Sequence, residues 1–356
     1  MTAAGRLVDA RILLDCRWVG RGGVGRATEL LLRGLGSIDP AGSWILWGPE
    51  TVAPYLFGGA QHVVETASPK RRFGQHLSLP AHDVAIFMHQ IRPLHVRRAL
   101  TFVHDTIPLR HGGRPFVRAY KRAYLRAVVA RADHVATVSE YSRRAIMHDL
   151  GVAPGRVTAV EYPLDRELVA RVSALREVVA PRQTILYVGS FSPHKNLPRL
   201  IEAFARTDFA RDGGELLLVG GAPAERERLS AVAAAHPLAR VVIEGVCDDE
   251  RLERLYASVR GVVMPSLEEG FGLPAWEAVT TGTRVAVSAA GPLPEITRGR
   301  AVVFPPLDVV AMAHALDELV AAPPPEPLVE APQIEDFAAQ VLDLLPLPSG
   351  STIRSG

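Results

Sequence analysis

The sequence predicts an α/β protein made of two Rossmann-like, doubly wound domains, and three observations predict it. The chain has 356 residues, too many for one average domain and suited to two of roughly 150 to 180. Short apolar runs alternate with helical patterns, as in parallel sheets covered by helices on both faces. The alternation halts between Asp165 and Gln183 and restarts at TILYVGS (184–190). A hydrophobic fraction of 48% fills two cores and excludes global disorder.

The first half opens with LVDARILLDCRWV (7–19) as a strand, followed by GRGGVGR (20–26) and the helical ATELLLRGL. Further strands are expected at SWILWG, HVVET, DVAIFMH, ALTFVHD, HVATVS and RVTAV, with helices over Pro115 to Arg131 and Ser139 to Asp149. The second half adds strands at ELLLVGG, VVIEG, GVVMPS, RVAVS and AVVFP. Its helices are expected at LPRLIEAFART, ERERLSAVAAA, ERLERLYASV, after Pro274, and over Val309 to Val320. The proline-rich AAPPPEPLVEAP (321–332) cannot continue a helix and makes a stiff connector to a last helix, IEDFAAQVLDLL. The expected domains are 1–170 and 180–330, with a tail helix in 331–350 packing back on the first. Two such units imply a cleft lined by strand ends, where open α/β sheets bind small molecules.

Composition removes several function classes. Forty basic and 38 acidic side chains give a formal charge of +2, without the basic excess of a nucleic-acid binder. Cys16 and Cys247 have no paired spacing, which argues against a disulfide scaffold or thiolate zinc site and fits a reducing compartment. There is no signal-peptide pattern and no uninterrupted apolar run of about 18 residues. A soluble cytoplasmic protein is the expectation.

PSLEEGFGLPAWEA (265–278) concentrates the chemistry. As one helix it would set Glu269 and Glu277 about 80° apart around the axis, but Gly270 and Gly272 oppose a helix there. A strand, a tight loop holding Glu269, and a helix opening at Pro274 and holding Glu277 is the better reading. The free amides of that helix start would face the crevice. GRGGVGR follows a strand and precedes a helix, so Gly22 and Gly23 either line a ligand or make a tight turn. It lacks the dinucleotide register and a following acidic residue for ribose, which weakens a nicotinamide enzyme, and no nucleoside-triphosphatase loop exists. In SFSPHKN, Lys195 sits at a strand-to-helix turn where a diphosphate could bind, or is an exposed lysine. In VHDTIPLR, His104 is a satisfied core histidine or a site residue. No metal-ligand spacing surrounds it, and no D-x-D pair occurs in the chain.

Together these pieces resemble the retaining glycosyltransferases of the GT-B fold, in family 4 (group 1). The likeness runs from about residue 8 to 320. It is carried by YVGSFSPHKNLPRLIEAF, LLLVGG, IEGVCDDERLERLYASV and PSLEEGFGLPAWEAVTTGTRVAVSAAGPLPEI, and by GGVGR, VHDTIP and ADHVATVSEYSRR in the first half. The E-x7-E signature falls on Glu269 and Glu277. The resemblance implies two domains facing each other across a cleft, with a crossover helix beginning near Ile334. It implies Glu269 at the donor sugar, Glu277 at the ribose, and amides of Gly270, Phe271, Gly272 and Leu273 at the sugar and diphosphate. Lys195 would neutralise the leaving diphosphate beside Gly189 and Ser190, and Gly22 and Gly23 would approach it from the other domain. Val246 would face the base and His104 the transferred sugar, so that His104, Lys195 and Glu269 form the catalytic set. Many family members carry arginines where this chain has Ser190 and His194, leaving the clamp mainly to Lys195 and a helix dipole. The asparagine-glycine turn usual near the end of the first domain is replaced by EYPLD.

The implied activity is transfer of a hexose from a nucleotide sugar to a hydroxyl of a saccharide, lipid-linked or small-molecule acceptor. Likeness to bacterial mannosyltransferases points to GDP-mannose or a related donor, with no cofactor and no essential metal. A glycosidase is disfavoured, because retaining hydrolysis needs two carboxyls about 5 Å apart across one sugar. A nucleotide-sugar epimerase, a sugar phosphorylase, or a non-catalytic nucleotide-sugar binder remain as alternatives. The helix at Pro115 to Arg131 shows Val117, Tyr120, Tyr124 and Val128 at inward-face spacing. Arg114, Arg118, Lys121, Arg122 and Arg126 make it either a solvated basic helix or a patch for an anionic acceptor or the inner membrane face.

Overall fold

The computed structural model describes residues 6–8, 10–64, 79–111, 114–328, 330–347 and 353–355. Asp9, Glu65 and Thr66 of the expected strands, and the end of the 331–350 tail, lie outside the described residues. The chain divides into two compact units. One comprises residues 1–165 with 331–356, and the other residues 166–330. The first unit's main segment thus ends at Asp165, beside an expected boundary at 170, and helix Arg166–Val178 belongs to the second unit.

The first unit holds a seven-stranded parallel sheet. Its spatial order is Gln61–Val64, Trp44–Gly48, Ile12–Asp15, Val84–Phe87, Ala99–Phe102, His134–Thr137 and Val157–Ala159. Numbered along the chain this is 3-2-1-4-5-6-7, so the order reverses beside the first strand. The inner strands are apolar runs buried on both faces (Ile12, Leu13 and Leu14; Val84 to Phe87), the composition a helix-covered parallel sheet demands. LVDARILLDCRWV is not one strand. Arg6–Val8 pairs antiparallel with Ile353–Ser355 in a separate two-stranded sheet, and Ile12–Asp15 alone enters the main one.

Helix Gly22–Ile38 buries Ala27, Leu30, Leu31 and Leu35 and is crossed by helix Ile334–Asp343. A Cβ on Gly34 would lie 2.3 Å from the Ile334 carbonyl oxygen, so the two backbones meet where only glycine fits. Asp165 anchors the same helix, accepting from Arg26 Nη2 at 2.9 Å and Arg33 Nη1 at 3.3 Å. Leu164 N donates to Pro332 O at 2.7 Å, tying the two segments of this unit together.

Helix Pro115–Arg131 forms as its pattern predicts, but its inward face differs. Leu125 and Val129 are buried in one cluster with Val135 and Ile146, and Val128 is buried as the spacing predicts, whereas Tyr120 is 62% exposed. The fully buried residues lie in the C-terminal half of the helix, while Val117 is half-buried and Phe116 and Tyr120 stand in solvent. Helix Glu140–Leu150 begins one residue after Ser139, whose side chain caps it by accepting from Ser142 N at 3.1 Å.

The second unit holds six parallel strands. Their order is Arg240–Glu244, Glu215–Gly220, Thr184–Gly189, Gly261–Met264, Val285–Ser288 and Val302–Phe304. This is the 3-2-1-4-5-6 order of dinucleotide-binding folds. Described connector residues dock on this unit: Leu328 is buried, and its N–H donates to Val279 O at 3.2 Å.

Candidate active site

In a parallel sheet all carboxyl ends lie on one edge, and the crevice opens where the order reverses. In the second unit that point lies between Thr184–Gly189 and Gly261–Met264. The loops leaving both strands are stitched together. Asn196, in the left-handed conformation at φ 61°, donates through Nδ2 to Pro265 O at 3.0 Å and Pro306 O at 2.6 Å. Leu267 N donates to His194 O at 2.7 Å.

This framework brings together two of the predicted residues that lie 74 positions apart in the chain. Lys195, ending the turn Pro193–Lys195, donates through Nζ to both carboxylate oxygens of Glu269, at 2.7 and 2.8 Å. The side chains are 14% and 7% exposed. Ser266 Oγ donates to Glu269 Oε1 at 2.7 Å, and Ser288 Oγ donates to Ser266 O at 2.5 Å, fixing the turn. Gly189 ends its strand, and Ser190 stands exposed beyond it. Tyr187 holds the Ser190 carbonyl with its hydroxyl at 2.7 Å. Burial, then the charge of Glu269, push that phenol well above its ordinary range, so it stays a donor.

Glu269 lies in the loop and Glu277 in helix Leu273–Thr280, the break that the glycines and Pro274 predict. Gly272 caps this helix at φ 104°, and a Cβ there would lie 2.5 Å from Leu293 Cδ2. Gly270 and Phe271 complete the loop, with Phe271 edge-on to Trp276 at 6.0 Å. Glu277 Oε2 accepts from the Tyr256 hydroxyl at 2.8 Å, which orients the carboxylate. Val246 is 85% exposed on the loop after Arg240–Glu244, apart from the ion pair.

The first unit presents Gly22 and Gly23 as the opening residues of helix Gly22–Ile38, just beyond the carboxyl end of Ile12–Asp15. His104 follows strand Ala99–Phe102 on the same edge. Its Nε2 lies 2.8 Å from Met88 O. A carbonyl only accepts, so Nε2 carries the proton and Nδ1 keeps its lone pair. Burial holds this histidine below its ordinary value, the backbone hydrogen bond opposing, and the ring is neutral at pH 7.

Four contributors were missed from the sequence. Ser266 and Asn196 lie inside the motifs that were read but were given no role there, and Tyr256 lies one helix away. The fourth feature is a buried ion pair on the first unit's edge. Arg17 donates to Asp15 through Nε and Nη2, both at 2.8 Å. Arg17 Nη2 also donates to Ile91 O at 3.0 Å, and the guanidinium lies 4.2 Å from the Trp47 ring. Its only sequence signal is the i, i+2 spacing of opposite charges in DCR. Among the described residues no group of three His, Cys, Asp or Glu is placed to hold a metal ion. Nor is any helix there long and apolar enough to cross a membrane.

Comparison with known proteins agrees with this geometry. Residues 176–333 match the model of glycosyl transferases group 1, and residues 75–168 match glycosyltransferase family 4. Among curated relatives, O-antigen chain mannosyltransferase B of Escherichia coli is 30% identical over 64% of this chain and 62% of its own length. Serotype-specific mannosyltransferase WbdA of Escherichia coli is 27% identical over 60% of this chain and 28% of its own. The chain therefore spans less than two thirds of the length of these relatives. Among solved structures, sucrose-phosphate synthase of Thermosynechococcus elongatus superposes with a TM-score of 0.67 at 21% identity, covering 94% of each chain. Anabaena HepE, solved with UDP and glucose, gives 0.68 at 17% identity over 94% of this chain and 99% of its own. The fold is GT-B, and the chain belongs to the group 1, family 4 glycosyltransferases.

Proposed function

We propose that the chain is a retaining hexosyltransferase that moves mannose from a nucleotide-sugar donor to an acceptor hydroxyl. The observation that carries this reading is the Lys195–Glu269 pair at the second unit's switch point, beside the first turn of helix Leu273–Thr280. The reaction expels a nucleoside diphosphate from an anomeric carbon, so negative charge grows on the bridging phosphate oxygen. A cation and amides already in place stabilise that charge without reorganising as the bond breaks. Lys195 Nζ has three N–H donors, two of them on Glu269, which leaves one for a phosphate oxygen. The amides of Gly270 to Leu273 take the remaining oxygens.

Glu269, oriented by Lys195 and Ser266, accepts from hydroxyls of the donor sugar and opposes the positive charge at the reacting carbon. Glu277, oriented by Tyr256, accepts from the ribose. Gly22 and Gly23 offer helix-start amides, and neutral His104 offers Nδ1 to a hydroxyl of the transferred sugar. Gly189 and Ser190 shape the turn that carries Lys195, and Val246 faces the base. The departing phosphate takes the acceptor proton, which needs no separate base. Mannose is favoured because the two Escherichia coli relatives described above are mannosyltransferases, and GDP-mannose is the donor of choice. With Lys195 as the cation, activity requires no divalent metal and survives excess chelator.

The test is incubation with GDP-, UDP-, dTDP- and ADP-sugars, following nucleoside diphosphate release and resolving products by mass. Transfer from GDP-mannose supports the reading. Release of free sugar or isomerised donor without an acceptor moves it to an epimerase, phosphate-dependent turnover to a phosphorylase, and binding without turnover to a sugar-nucleotide binder.

A second observation bears on the acceptor. From Arg114 to Arg131 the chain has no acidic residue, and Phe116 and Tyr120 stand 66% and 62% exposed on helix Pro115–Arg131. Aromatic rings one turn apart among basic side chains suit an anionic lipid interface, which supports a peripheral membrane position and a lipid-linked acceptor. Co-sedimentation with anionic but not neutral vesicles, lost in Phe116→Ser/Tyr120→Ser, is expected. Equal, negligible binding to both removes the membrane and leaves a soluble acceptor.

A further inference from the structure

Arg226 stands outside every motif read so far. It lies on helix Pro223–Ala234, which follows strand Glu215–Gly220. Its guanidinium does not point away along the surface. Nη1 donates to Gly221 O at 2.8 Å, and the planar group lies against the loop after the neighbouring strand. A Cβ built on Gly245 would be 3.5 Å from Arg226 Nη1 and 3.7 Å from Cζ. The half-buried side chain therefore spans the carboxyl ends of the second and third strands of this sheet, next to Val246. Among the described residues Arg226 has no carboxylate partner, and the Gly221 carbonyl is the one acceptor that its N–H groups use.

From this placement we propose that Arg226 selects the base of the donor nucleotide and selects guanine. The inference rests on the reading of the chain as a nucleotide-sugar transferase. Adjacent strands are about 4.8 Å apart, so the ends of the second and third strands lie one and two spacings from the first strand, which carries Lys195. With the diphosphate at Lys195, the nucleoside runs toward Arg226 and Val246, and the base edge meets the guanidinium. Arginine has only donors, in a planar fork. Guanine shows two adjacent acceptors, O6 and N7, on its Hoogsteen edge, and the purine rings carry that edge farther from the ribose than the N3 and O2 acceptors of cytosine. Uracil pairs its O4 with an N3–H donor, and adenine pairs N7 with an N6 amino group, so either leaves a donor facing a donor. Gly245 leaves the guanidinium face uncovered, since even a Cβ there would only reach ordinary contact distance.

The test is calorimetric titration of GDP, UDP, ADP and 7-deaza-GDP into the unaltered protein, Arg226→Ala and Arg226→Gln. The unaltered protein should prefer GDP to UDP by at least tenfold and lose most of that preference with 7-deaza-GDP, which lacks the N7 acceptor. Both variants should bind GDP and UDP about equally, with UDP affinity unchanged and so reporting an intact fold. A GDP preference that survives both substitutions overturns the assignment of Arg226. A preference for UDP or ADP, or equal binding of all three by the unaltered protein, overturns guanine selection. Absence of binding by any nucleoside diphosphate instead overturns the transferase reading on which the inference rests.

Discussion

The two units carry the same device at the same topological place and use it for opposite ends. In each sheet the order reverses beside the first strand, and in each a basic and an acidic side chain meet on the carboxyl edge. In the first unit the pair is Asp15 and Arg17, two residues apart and 0% and 2% exposed. Its guanidinium is consumed by both carboxylate oxygens, a carbonyl and the face of Trp47. In the second the pair is Lys195 and Glu269, drawn from two loops, with one lysine donor uncommitted and the side chain 14% exposed. Arginine's rigid fork suits a sealed pair, and lysine's compact charge suits an exchangeable one. The shared 3-2-1-4-5-6 order thus carries a sealed ion pair in one unit and, in the function proposed above, a ligand site in the other. What differs is the cation chosen and how much of it remains unspent.

The sharpest way to break the comparison is to cut the lock. Asp15→Ala leaves a buried guanidinium without its counter-charge, which costs about 3–5 kcal/mol. Chemical denaturation should show that loss while transfer per folded molecule stays near the unaltered level. A small stability change with a large fall in activity would make Asp15 and Arg17 part of the site instead. Lys195→Ala should do the reverse. Removing one donor aimed at developing negative charge costs about 100- to 1,000-fold in kcat, with a smaller stability loss than Asp15→Ala because Glu269 keeps its Ser266 hydrogen bond. Glu269→Gln should likewise lower kcat more than donor affinity. Glu277→Ala should chiefly raise donor KM, because ribose contacts serve ground and transition states alike.

How legible each unit was follows from where its chemistry sits. Glu269, Glu277 and Lys195 stand at strand-to-helix junctions, where glycine, proline and polar residues interrupt apolar runs, and local pattern alone placed each on its loop, turn or helix. The Lys195–Glu269 pairing itself was not legible. It depends on Asn196 and Ser266 holding two loops together across distant sequence positions. Asp15 and Arg17 were hidden for a different reason, since DCR continues an apolar run and reads as strand. The outward turn of Tyr120 was missed because spacing gives a helix its stripe but not the length over which a neighbour covers it. The split of the first predicted strand depended on a pairing with Ile353–Ser355, at the other end of the chain.

His104 gives the next smaller effect. If its Nδ1 serves the transferred sugar, His104→Ala should keep most affinity for the nucleoside diphosphate while transfer drops at least tenfold, about 1.4 kcal/mol. Calorimetry beside a transfer assay separates the two. Unchanged transfer would return His104 to the core, held by Met88 for packing alone.

The smallest effect is on the pH dependence of stability, where the two units should also differ. Burial holds the folded His104 below its ordinary value of 6.5. Above that pH neither the folded nor the unfolded chain carries the proton, and the residue contributes nothing to the slope. Between 6.5 and the lower folded value the unfolded chain binds a proton that the folded chain does not, so stability falls as pH falls. Below the folded value both are protonated and the loss levels off. His134, lowered by burial and by Arg156, acts in the same direction, so the first unit carries both of these terms. Asp39, raised by burial to about 6, opposes them at the acid end of the range, so the histidine terms are read by difference in denaturant unfolding. From pH 7.5 down to 5, His104→Asn should lose less stability than the unaltered protein while keeping the part due to His134. An unchanged slope in His104→Asn would mean that the ring is as open to water when folded as when unfolded, and its neutral Nδ1 would no longer be assured at the pH of the reaction.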